Sequence, residues 1–145
     1  DAAGTHAAYV DDTGAFGALQ KGASAVGGFV QTDIVGSWSG NSVEFDNNTD
    51  FDIAFHGASS ASVDNDSTFS ILDYNLYAYT GSFTTFDTNF GWFQGTWSGS
   101  TPGGSGNMRM YLSADKQFAA SWACSGPVTS PSTVSGCTFR TWRRL

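Results

Sequence analysis

The chain has 145 residues and a net charge of −7, with 13% charged and 15% aromatic residues. That length suits one domain with a sizeable core, and the aromatic content excludes a disordered chain. Glu44 is the single glutamate among thirteen acids, so the composition argues against a helical protein, and its acidity argues against a nucleic-acid binder. The charge is uneven. Residues 1–108 hold twelve acids and only Lys21 as a base, whereas 109–145 hold five bases against Asp115.

Residues 1–28 are small and rich in Ala and Gly. Phe16, Leu19, Ala23 and Val26 fall near helical spacing, but Gly17, Gly22, Gly27 and Gly28 oppose a stable helix. The expectation is an irregular N-terminal arm over 1–28 with at most one helical turn, followed by a single β domain over 29–145.

From Phe29 the apolar period becomes two. Phe29 to Trp38 ends in Gly36-Ser-Trp-Ser-Gly40, and this pentapeptide returns as Gly95-Thr-Trp-Ser-Gly99. A Trp between small hydroxyl residues and glycines suits a strand that buries one ring while its backbone bends. The two copies suggest related halves with a Trp at a comparable place in each. Val43 and Phe45, then Phe51, Ile53 and Phe55, alternate with polar residues around the turn cluster 46–50, which reads as a hairpin.

Residues 57–66 read as a loop and 68–83 as the longest strand, with Ile71, Asp73, Asn75, Tyr77 and Tyr79 on a face that is either a lined cavity or an exposed aromatic surface. Phe90 to Ser98 forms the next strand, and 100–106 a loop. Met108, Met110 and Leu112 alternate, as do Phe118, Ala120 and Trp122 across a turn at 113–116. Thr138 to Arg144 closes the chain. About seven to nine short strands point to an all-β antiparallel barrel or sandwich.

Cys124 and Cys137 bracket a loop rich in Gly, Pro and Ser, which predicts a disulfide at the neck of a hairpin and an oxidising compartment. The chain begins at Asp1, without a charged-then-apolar leader or a run long enough to cross a membrane, as expected of a mature secreted or surface protein. Sequons stand at Asn47 and Asn65.

Asp46, Asn48, Asp50 and Asp52 place oxygen ligands at every second position, a pattern suited to Ca2+, although Phe51 and Gly57 depart from an EF-hand loop. His56 shares a strand face with Asp52, but no positioned nucleophile stands out, and haem ligation by His56 with a nearby Tyr is the remoter option. An enzyme is therefore the third reading. Trp92 with Gln94, and Asn75 with Tyr77 and Tyr79, pair aromatic faces with polar groups in the manner of a glycan or small-ligand site.

Gly36-x-Trp38 on an early strand with an Arg near the last strand resembles the calycin barrels, the lipocalins and avidins. The resemblance implies that the early Trp packs beneath a late Arg, here Arg140 or Arg143, and that the barrel holds a small ligand. The chain after Trp38 is short for eight lipocalin-length strands.

Two functional classes follow. One is a self-assembling structural subunit of a fibre or surface layer, its partner itself, with the N-terminal arm adding to a neighbour's sheet and the oppositely charged segments orienting subunits. The alternative is a secreted carbohydrate- or small-ligand-binding barrel.

Overall fold

The computed structural model describes residues 4–10, 15–22, 27–45, 53–73, 77–100, 103–125 and 137–145. Strands β1 (His6–Val10) and β2 (Phe16–Gln20) pair as a hairpin. Eight further strands form an antiparallel barrel: β3 (Gly36–Phe45), β4 (Ile53–Val63), β5 (Thr68–Asp73), β6 (Ala78–Phe86), β7 (Trp92–Ser100), β8 (Gly103–Leu112), β9 (Phe118–Cys124) and β10 (Cys137–Arg144). Each pairs with its successor in sequence, and β10 returns to β3 with Arg144 opposite Trp38 and Phe139 opposite Val43. The expected antiparallel barrel is thus what the chain builds, and closure leaves these eight strands no open edge.

Alternation decides which side chains enter. Phe69 and Ile71 of β5, Phe83 of β6, Phe93 of β7 and Met108, Met110 and Leu112 of β8 point inward with Trp38 and Trp142. The apolar interior around Trp38 is packed nearly solid: the void among Trp38, Phe69, Phe83, Met108 and Trp142 measures about 10 Å³. Outward positions on β3 to β7 carry Ser39, Ser60, Ser62, Ser70, Thr80, Thr96 and Ser98, so this wall presents hydroxyls where a membrane-spanning barrel presents an apolar band.

Four expectations change. The 1–28 arm is not irregular throughout, because 6–10 and 16–20 pair and lie against the barrel. Phe16 enters a second apolar cluster, outside the barrel wall, with Trp122, Phe139 and the bonded Cys124 and Cys137. The 57–66 loop is instead the end of β4 through Val63, its small residues suiting a closely packed wall. The long 68–83 strand is two strands that fold back on each other, Ile71 opposite Tyr79. Residues 103–106 likewise belong to β8, pairing with Trp97 to Ser100.

Candidate functional site

One end of the barrel is sealed. A 3-10 turn over Gln31–Ile34 precedes β3, inserts Ile34 into the core and accepts the Trp38 indole N–H on the Ile34 carbonyl at 3.0 Å. The Arg144 guanidinium lies 4.4 Å from the Trp38 ring centroid. It donates to the carbonyls of Val35 (2.6 Å), Lys116 (2.9 Å) and Asp33. Burial pulls the Arg144 pKa down, and the charge of Asp33 opposes that. Gly36, at φ +132°, is held where a Cβ would come within 3.0 Å of Arg144 Nη1, which explains the glycine of the Gly-x-Trp motif. The Trp–Arg pairing implied by the calycin resemblance is therefore made by Arg144. Arg143 faces outward and exposed, and Arg140 is committed elsewhere.

Nearer the opposite end the interior changes character. Arg140 of β10, 2% exposed, forms a two-pronged pair with Asp73 of β5: Nε to Oδ1 at 3.1 Å and Nη2 to Oδ2 at 2.6 Å. The Ser59 hydroxyl donates to Asp73 Oδ1 at 2.6 Å and sits 3.1 Å from Ser42 Oγ. The buried carboxylate is thereby well provided with donors, as a charge in the interior must be. Arg140 Nη1 is different. It is buried with no hydrogen-bond partner among the described residues. Such an orphaned donor costs ~1–3 kcal/mol, more when charged.

One aromatic ring lies against this guanidinium, and a second ring lies behind it. Tyr79 lies 5.4 Å from the Arg140 guanidinium and meets Trp97 edge to face at 5.5 Å between centroids. Both rings are half-buried. The Trp97 indole N–H donates to the Asn107 and Cys124 carbonyls at 3.1 and 3.3 Å, which fixes the ring. The inward positions around it, at residues 99, 104 and 106, are glycines. The two Trp motifs thus differ in depth: Trp38 opens its strand and plugs the sealed end, whereas Trp97 stands six residues into β7.

The sequence-predicted ligand residues separate. Tyr79 is inside the barrel beside Trp97 and Arg140. Tyr77 is half-buried at the turn between β5 and β6, its carbonyl accepting from the Asp73 N–H at 3.0 Å. Trp92 and Gln94 lie on the outer wall, where Arg109 stacks 4.5 Å over the Trp92 ring and donates to Gln94 Oε1 at 2.9 Å. Asn75 and the calcium candidates Asp46, Asn48, Asp50 and Asp52 lie outside the described residues, as does Asn47. Asn65 is exposed in the turn between β4 and β5. Among the described residues, no three His, Cys, Asp or Glu side chains converge as a metal site would require.

Sequence reasoning missed a second polar cluster. His6 Nε2 meets Asp115 Oδ2 at 2.9 Å, and the His6 ring stacks 5.4 Å over Phe118. The Gln20 side-chain carbonyl accepts from the Asp115 N–H at 2.8 Å. These contacts latch both strands of the hairpin to the turn between β8 and β9. Burial pushes the Asp115 carboxyl up. Hydrogen bonds from the Ser113 hydroxyl, the Gln117 N–H and His6 outweigh this and hold it below the usual carboxylate range. A separation of 109 residues leaves no local signal for the pairing.

A scan against protein-family models and a search of curated proteins returned no match for this chain.

Proposed function

We propose that this chain is an extracellular small-ligand-binding barrel that takes its ligand at the end away from the 3-10 turn, on Tyr79 and Trp97. Arg140 Nη1, buried and without a hydrogen-bond partner among the described residues, carries this reading, because native interiors rarely leave a charged donor unsatisfied unless something else completes it. The solid apolar packing around Trp38 and Trp142 gives that end a rigid floor. The Cys124–Cys137 disulfide supports an oxidising compartment. The test is quenching of tryptophan fluorescence by a panel of small ring compounds, sugars included. Binding lost in Trp97→Ala and kept in Trp92→Ala supports the interior site. The reverse pattern moves the site to the outer wall at Trp92 and Gln94.

Self-assembly is the second reading, favoured by the hairpin. Strand β1 pairs with β2 alone among the described residues, which leaves one of its edges open. Its residues His6-Ala-Ala-Tyr-Val10 include no Lys, Glu or Pro to guard that edge. A groove of about 610 Å³ runs beside it, lined by Ala7, Ala8, Ser39, Asn41, Ala58 and Arg143. Sedimentation at high concentration and low salt separates the readings: polymers that vanish on deletion of residues 1–10 support assembly, and a monomer throughout rejects it.

A further inference from the structure

We infer that the ligand is uncharged where it meets Arg140, presenting the carbonyl oxygen of a planar ring compound rather than a carboxylate. This rests on the interior site proposed above and concerns what that site selects. A lone buried guanidinium would call for an anion. Arg140 is not alone: Asp73 occupies its Nε and Nη2 in a fork at 3.1 and 2.6 Å, so the pair is already neutral as a unit. Asp73 is in turn anchored by Ser59 and is 6% exposed, so it cannot readily swing away to admit a competing anion. In a low-dielectric interior an incoming carboxylate would be repelled by Asp73 about as strongly as Arg140 attracts it, and it would lose its own hydration.

What remains to be satisfied is hydrogen bonding. Among the described residues the protons of Nη1 lack an acceptor, and a carbonyl oxygen supplies one with no net charge. The Tyr79 ring lies 5.4 Å from the guanidinium and is half-buried, so it marks the side from which a ligand would reach this group. The fixed Trp97 ring, edge to face with Tyr79, then offers the ligand's flat face a stacking surface. At Gly104 a Cβ would stand 3.7 Å from the Trp97 ring, so the absence of a side chain there leaves that edge of the ring uncovered.

Three probes sharing one ring system test this: 2-naphthamide, 2-naphthoate and naphthalene, titrated at pH 7 with calorimetric detection. The wild-type protein should bind the amide at least ~10-fold more tightly than either of the others, the worth of one buried hydrogen bond. In Arg140→Met/Asp73→Leu the amide should fall to the level of naphthalene. In Asp73→Asn, which frees the guanidinium charge, the preference should invert toward naphthoate. The inference is overturned if naphthoate equals or beats the amide on the wild-type protein, or if the amide advantage survives the double substitution. Equal binding of all three probes also overturns it while leaving the interior site standing. No binding of any probe removes the site and the inference together. Should neither variant fold, the wild-type comparison decides alone.

Discussion

Arg144 and Arg140 sit four residues apart on one strand, face the same interior and do different work. Arg144 is a strut. Three backbone carbonyls and the Trp38 face hold it, so Arg144→Ala should cost about 3 kcal/mol of unfolding free energy in urea melts. Arg144→Lys should recover less than half, because an ammonium cannot both stack and reach three carbonyls. Arg140 is a charge that must be paired. Arg140→Met alone leaves Asp73 buried and uncompensated, a loss of about 3–5 kcal/mol, most of which Asp73→Leu should restore. The chain announced an Arg beneath a Trp but not which one. Arg140, Arg143 and Arg144 are equivalent in composition, and only the register that sets Arg144 opposite Trp38 distinguishes them. Asp73, 67 residues from Arg140, carried no mark of its partner.

Among elements, the hairpin of β1 and β2 lies against the barrel as a separate two-stranded sheet, and two of the contacts that hold it there can be tuned. Phe16→Ala removes the ring that reaches Tyr111, Trp122 and Phe139. It should strip hydrogen-exchange protection from residues 6–10 and 16–20 while the barrel amides stay protected. Acid should act on the same element. The Asp115 carboxyl is held below its unfolded value, so the stability it contributes is present above that value and is lost as pH falls through the folded one. Hairpin protection should therefore drop below about pH 4, near the ordinary carboxylate value, and Asp115→Asn should flatten that dependence. The barrel strands were legible because alternation is the direct imprint of one buried face, as in the exposed-buried pattern of β5. The hairpin was not, since Ala and Gly report neither period strongly. The break between β5 and β6 was also hidden, because Asp73 to Tyr77 holds no Gly or Pro to mark the reversal.

At the scale of the molecule, the disulfide ties β9 to β10 where Cys124 and Cys137 stand directly opposite, with Cα atoms 4.2 Å apart. Reduction should lower stability by ~3 kcal/mol in the chain-entropy picture and depress the melting temperature without dismantling the sheet, since the ladder between the two strands continues from Thr138 to Arg143. Calorimetry with and without a phosphine reductant checks this. A melting curve indifferent to reductant would mean that the crosslink restrains little of the unfolded chain. The pairing itself was legible because a turn-rich loop between two apolar runs has few other ways to fold. The site was legible only in part. Tyr79 was singled out, yet Trp97 reaches it through the pairing of β6 with β7, and only closure of the barrel on β10 brings Arg140 to them.

That closure has a kinetic side. Seven of the eight barrel pairings join neighbours in sequence and can form as local hairpins, but the eighth joins β3 to β10, nearly the whole barrel apart along the chain. Non-local pairing is what slows folding, so β3 and β10 should be the last to meet, on a timescale of roughly milliseconds to seconds. Until they do, the nascent sheet is an open meander with two bare strand edges, one of them carrying Trp38. Two molecules caught at this stage can satisfy each other's edges as well as their own. The concentration at which the protein is refolded, rather than its final stability, then decides how much of it reaches the closed monomer.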